Sequence, residues 1–235
     1  MANIVLVHGA FHGGWCWREV ARPLRRAGHE VFCPTLTGLG DRAHLLSADI
    51  DLDTHIEDIV RVVECEELED VILLAHSYGG LPVTGAAERL LGRLRGLVYL
   101  DAFTPSSGES GMEIRGRVPG AVPLTPGPDG ISLAPPPAKV FGVADKAAAA
   151  WLQRRMTPQP LACMTQPIRL AGTWKQAPEK LYIRLGQYPA PYFDAYHETW
   201  AADPAWRSIV NDKAHNVMVT EPAWLIDTLS REFGL

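Results

Sequence analysis

Val71-Ile72-Leu73-Leu74-Ala75-His76-Ser77-Tyr78-Gly79-Gly80 decides how this chain is read. Its first four residues are apolar and partly β-branched, which predicts a short buried strand. The run 81–91 that follows has helical character. A serine held between a strand and a helix sits on a sharp, strained turn, so the residues two positions to either side must be small. Ala75 and Gly79 meet that need, although glycine is commoner at the first of these positions. The pentapeptide alone arises often by chance. Its strand-turn-helix setting gives it weight.

With 235 residues, the chain suits one substantial domain with room for an inserted subdomain. Hydrophobic residues make up 47% and charged residues 21%, as in an ordinary globular enzyme. A net charge of −5 and the lack of any Lys/Arg cluster argue against a nucleic-acid partner and against a membrane surface. No apolar run is long enough to span a bilayer. Residues 3–7 already read as a strand, and no basic stretch leads into an apolar one, so a secretory leader is not expected. Cys16, Cys33, Cys65 and Cys163 are widely spaced and form neither a metal-ligand nor a disulfide pattern. They read as small buried hydrophobes in a reducing compartment, and a cytoplasmic location is expected. The sequence allows a homodimer.

Outward from the serine, short apolar runs alternate with helical patterns. Strands are expected at 3–7, 29–34, 96–101, 180–185 and 206–210, and helices at 17–27, from 54 onward and at 222–233. Gly28 stands at the stop position of the first helix and Pro222 in the first turn of the last. This rhythm predicts an α/β fold, a mostly parallel sheet with helices on both faces. Residues 103–178 break it: they hold many of the 19 prolines and only one clear helical pattern, at 143–156. So long an excursion reads as an inserted cap. The expected organisation is a core of 1–102 and 179–235 with a cap at 103–178. The Pro/Gly-rich piece 119–137 is expected to lie over the surface.

A serine nucleophile needs a base, an acid that orients the base, and donors for the oxyanion. His215, in Asp212-Lys-Ala-His-Asn216 before the final helix, stands where an open α/β sheet gathers its active-site loops. His76 is expected to point away from the site, and His197 to be solvated. One oxyanion donor should be the N–H of Tyr78, the residue after the nucleophile. The second should come from the glycine-rich loop Val7-His8-Gly9-Ala10-Phe11-His12-Gly13-Gly14-Trp15, whose spacing fits no nucleotide-binding fingerprint.

These three segments, Val7 to Trp17, Ala75 to Gly80, and the His215 loop ending in Thr220-Glu221-Pro222, occur in the order that resembles the α/β-hydrolase superfamily. The likeness is to its branch of plant methyl esterases, bacterial esterases and hydroxynitrile lyases. It covers 3–103 and 180–233 well and the cap only loosely. The resemblance implies Ser77 as nucleophile, His215 as base, and the N–H groups of Ala10 and Tyr78 as oxyanion hole. One departure stands out: the acid of that branch usually follows the penultimate strand, where this chain has Gly186-Gln187-Tyr188-Pro189. Asp101, one helix and one strand beyond Ser77, is the preferred replacement, as in the haloalkane dehalogenases this arrangement resembles. Asp194, Asp203 and Asp212 are the alternatives.

The resemblance further implies a serine esterase without metal or organic cofactor, acting on a small, largely apolar or aromatic ester. Hydroxynitrile lyases of the branch carry a Thr in the first loop and a Lys after the base, where this chain has Gly9 and Asn216. The other readings are a cofactor-free lyase, cyclase or lactonase, and a non-catalytic small-ligand receptor. Phe11, Trp151, Met156 and Trp174 are the candidate pocket residues, weighed against ordinary core positions for each.

Overall fold

The computed structural model describes residues 1–235. Its strands are β1 (Asn3–Val7), β2 (Glu30–Phe32), β3 (Val71–His76), β4 (Leu94–Leu100), β5 (Thr125–Pro126), β6 (Ser132–Ala134), β7 (Gln159–Pro160), β8 (Glu179–Leu185) and β9 (Arg207–Asn211). The helices are α1 (Arg18–Arg26), α2 (Leu52–Cys65), α3 (Gly80–Leu90), α4 (Gly111–Gly116), α5 (Lys146–Gln153), α6 (Ala162–Thr165), α7 (Pro191–Ala201), α8 (Val217–Thr220) and α9 (Pro222–Phe233). Six strands form one parallel sheet in the order β2-β1-β3-β4-β8-β9. All six correspond to the strands expected from sequence.

Alternate residues of these strands feed two separate cores, as a period of two requires. Val5, Val7, Leu73, Ala75, Leu97 and Tyr99 join α2, α3 and α7 on one face. Ile4, Leu6, Ile72, Leu74, Val98 and Leu100 join α1, α8 and α9 on the other. Cover on both faces explains why the central strands read as unbroken apolar runs. Truncating a fully buried leucine such as Leu74 would cost about 2–5 kcal/mol.

Local chemistry sets several helix ends. Asp51 and Thr54 form a capping box at α2. Gly28 has φ +91 past the end of α1, and Pro222 opens α9, both as read from sequence. Asp145 caps α5 through Ala148 N, 2.7 Å, and so starts that helix inside the broader 143–156 pattern. Helix α7 was not expected. Its buried residues, Tyr192, Phe193 and Trp200, stand with the partly buried Tyr196 at i, i+1, i+8 and i+4, one helical face that the sequence does carry.

Between β4 and β8 lie α4 to α6 and a small antiparallel sheet, β5-β6-β7. The 119–137 piece runs over the surface as expected, with only Ser132 and Leu133 buried, and it also takes on structure. It contributes β5 and β6 and places Val122, Pro123, Leu124 and Pro136 in the wall of a cavity over Ser77. Prolines suit that place because an edge or wall segment has no ladder donor to lose. Cys65 departs from expectation, being exposed; all four cysteines are free. No helix is long and apolar enough to cross a membrane.

Candidate active site

Register brings the carboxyl ends of the central strands level: Val7 pairs with Ala75, His76 with Leu100, and Leu100 with Ile183. The loops that leave those ends therefore meet at one edge of the sheet. Ser77 follows β3 at φ +53 and begins the turn into α3. Asp101 follows β4 at φ +45, and Phe11, in the loop after β1, has φ +67. Three of the five non-glycine residues with positive φ thus lie here, where strain is held in place by the surrounding packing.

The serine turn fits only because its neighbours are small. A Cβ on Gly80 would come within 2.0 Å of the Phe103 carbonyl oxygen, and one on Gly79 within 2.7 Å of the His8 carbonyl oxygen. Gly9 faces the turn from the β1 loop, where a Cβ would meet both His76 Nδ1 and Ser77 Cβ at 2.9 Å. A threonine at position 9 would push the serine out of place.

Asp101 and His215 are both buried, and His215 Nδ1 donates to Asp101 Oδ2 over 2.6 Å. The other carboxylate oxygen accepts from Arg184 Nη1 at 2.9 Å and from Leu185 N at 3.1 Å. Arg184, itself buried, also bonds Asp194 Oδ1 through Nε at 2.7 Å and the Tyr188 carbonyl through Nη2 at 2.8 Å. Burial pushes the Asp101 carboxyl up to about 7, against the opposing pull of Arg184 and the Leu185 N–H. Asp194 reaches only Arg184, Asp203 caps Ala205 N, and Asp212 offers its backbone carbonyl to Gln187.

The His215 ring stacks on Tyr188, centroids 4.1 Å apart, and lies 4.5 Å from the His76 ring. Burial holds His215 well below the ordinary histidine range, and the charges of His12, Arg184 and Arg115 add to that. The ring is therefore neutral at working pH. Its Nδ1–H is committed to Asp101, which leaves Nε2 as the basic nitrogen. His76 is not remote, as expected from strand alternation, but packs directly beside this ring. Its Nε2–H donates to the His215 carbonyl at 2.9 Å. His197 is likewise not simply solvated: it is half-buried and bonds Ser208 Oγ at 2.8 Å.

The loop after β1 is held by side chains that sequence reading did not single out. His12 Nδ1–H donates to the Ala10 carbonyl at 2.6 Å, and Asn216 Nδ2 donates to His12 Nε2 at 3.0 Å. Burial depresses His12 to about 4, so its Nε2 is free to accept. Gln159 Oε1 accepts from Phe11 N at 3.4 Å, and Thr157 N donates to the Phe11 carbonyl at 3.0 Å.

Ser77, His215, Ala10, Tyr78 and Phe11 all line one largely apolar cavity, with Phe103, Phe141 and Tyr188 around them. Its free volume is about 40 Å³, room for roughly three waters. Trp151, Met156 and Trp174 do not line it. Trp151 packs edge-on against Trp15 beside a separate groove. Met156 is core, and Trp174 packs edge-on with Tyr99, Trp200 and Trp206 in the core. No cluster of three His, Cys, Asp or Glu side chains is arranged to hold a metal ion.

A family model described as "Alpha/beta hydrolase family" matches residues 4–228. A carbendazim hydrolyzing esterase of Nocardioides sp. (strain SG-4G) is 41% identical over 98% of this chain and 99% of its own. Methyl jasmonate esterase 1 of Vitis vinifera is 36% identical over 44% of this chain and 40% of its own length. Among solved structures, an extracellular alpha/beta-hydrolase from a Paenibacillus species superposes with a TM-score of 0.80 over 99% of both chains, at 21% identity.

Proposed function

The chain belongs to the alpha/beta hydrolase family, and on that premise we propose that it is a serine esterase that cleaves a small carboxylic ester through an acyl-enzyme. The observation that carries this reading is a serine on a strained turn in the same cavity as a neutral histidine whose Nδ1–H is bonded to a buried aspartate. Ser77 attacks the ester carbonyl as His215 Nε2 takes its proton. Asp101 keeps the imidazole in that tautomer and stabilises the imidazolium. The N–H groups of Ala10 and Tyr78 receive the oxyanion. His215 then protonates the leaving alcohol, and water cleaves the acyl-enzyme by the same steps in reverse order of roles. Ser77 and His215 form no hydrogen bond to each other; catalytic contacts of this kind commonly close around the bound substrate.

Residues 103–178 act as the cap, closing an aromatic wall over the ester. Gly9, with no room for a side chain, supports hydrolysis over hydroxynitrile lysis. The four free cysteines support a reducing, cytoplasmic setting. An organophosphonate ester tests the reading directly: mass spectrometry should find one adduct, on Ser77, with matching loss of p-nitrophenyl ester turnover. Labelling elsewhere, or turnover that survives full labelling, would refute it. A panel of methyl, aryl and lactone esters, with carbendazim included because the Nocardioides relative is named for it, then identifies the substrate.

Arg184 sets the pH range of this chemistry. Asp101 must be ionised to hold His215, and Arg184 is the largest influence lowering its pKa. Arg184→Met should therefore push the Asp101 carboxyl further up and move the acid limb of the kcat/KM profile to higher pH. The variant should also lose stability by about 3–5 kcal/mol, since a buried carboxylate loses its counter-charge. A pH profile that does not move would show that Arg184 serves packing alone.

A further inference from the structure

Of the 18 residues that wall the cavity, Arg115 is the only lysine, arginine or acidic residue. It reaches the cavity half-buried from α4. Nη1 donates to the Tyr192 hydroxyl at 2.7 Å, Nη2 donates to the Val122 carbonyl, and the guanidinium carbon lies 5.5 Å from the Tyr192 ring centroid. It forms no ion pair, whereas Arg42, Arg95, Arg184 and Arg207 each hold a carboxylate within 4.0 Å. A guanidinium offers five N–H donors in a rigid fork, so two acceptors leave part of the fork unused at the cavity wall. A ligand acceptor placed at the unused donors would gain a charge-assisted hydrogen bond.

We propose that Arg115 is the specificity-determining residue of this pocket, and that the acyl group of the substrate carries a hydrogen-bond acceptor set apart from the scissile ester carbonyl. The proposal rests on the esterase reading above. The acceptor is a neutral carbonyl or a carboxylate; both present the oxygen lone pairs that the fork binds. The rest of the wall offers no other charged donor: apart from the hydroxyls of Ser77, Tyr78 and Tyr188, its side chains are aromatic, aliphatic or histidines held neutral by burial. The acyl body is thus apolar and flat, with its acceptor turned towards α4.

Three methyl 3-arylpropanoates of matched size, in which two methylenes insulate the ester carbonyl from the ring substituent, separate the cases: one with a 4-ethyl group and no distal acceptor, one with a 4-acetyl group as a neutral acceptor, and one with a 4-carboxylate as an anionic acceptor. The unmutated protein should favour at least one acceptor-bearing substrate over the 4-ethyl compound by about 10- to 100-fold in kcat/KM. Arg115→Met, which keeps an apolar stem, should bring that ratio close to one. Arg115→Lys should keep a preference for the 4-carboxylate, as a point charge does, and lose most of any preference for the 4-acetyl compound.

An unmutated protein that does not discriminate overturns the proposal, and this outcome needs no variant to fold. A ratio that survives in Arg115→Met overturns it too. If that variant then only melts earlier, Arg115 is a staple between α4, the 118–124 loop and α7. Failure of the esterase reading looks different: no ester of any kind is cleaved and Ser77 takes no organophosphonate, which removes both readings together.

Discussion

Ser77→Ala is expected to lower turnover of an activated ester by about 10⁶-fold, because loss of the nucleophile removes the acyl-enzyme route entirely. What remains should be roughly 10³-fold above the uncatalysed rate, supplied by the oxyanion donors and by binding. The fold should not suffer. Alanine keeps the Cβ and the same backbone at φ +53, and the Ser77 carbonyl still accepts from Phe103 N at 3.1 Å. Ser77→Gly separates strain from chemistry. A β-carbon at positive φ costs about 1 kcal/mol that glycine does not incur, so this variant should be equally inactive yet melt about 2–4 °C higher. Calorimetry beside a p-nitrophenyl ester assay measures both. If Ser77→Ala keeps more than a small fraction of turnover, another group is the nucleophile.

The sheet was legible because burial on both faces leaves apolar runs with sharp ends, and each of Ser77, Asp101 and His215 stands just past such an end. Strand order and chain position were enough to gather them. His76 keeps the alternation of β3, on the face of Leu74 and Trp17, and its contact with His215 arises because the loop carrying His215 packs there, which one strand's pattern does not reveal. Arg184 was visible as a charge inside the apolar run 180–185, but its partners are Asp101, from a neighbouring strand, and Asp194. Nothing in a single sequence pairs them. The pocket was the least legible part. Trp151, Met156 and Trp174 share the 103–178 segment with the true wall residues Val122, Pro123, Leu124 and Phe141, yet which of them face Ser77 depends on how that segment folds back. Large apolar side chains go where most area is buried, and for Trp174 that is a cluster with Trp200 and Trp206.

Asp101→Asn is expected to cut turnover by about 10⁴-fold while Asp194→Asn costs less than about tenfold. An asparagine side chain at position 101 can present its amide N–H to His215, which favours the tautomer with the proton on Nε2, the nitrogen that must receive the serine proton. It also takes away the negative charge that stabilises the imidazolium formed as Ser77 attacks. Asp194 touches neither ring nor serine. It pairs with Arg184 from an exposed position, its side chain 56% exposed, so its loss is screened by solvent. The two variants differ in stability as well: Asp101→Asn strips Arg184 of its buried counter-charge and leaves only the exposed partner. Stability loss alone would lower the amount of folded enzyme, not the turnover of each folded molecule. Rates should therefore be divided by the folded fraction measured by circular dichroism at the assay temperature. Near-normal turnover per folded molecule in Asp101→Asn would move the orienting role to another group, and a large loss in Asp194→Asn would place it on the Arg184 side of the network.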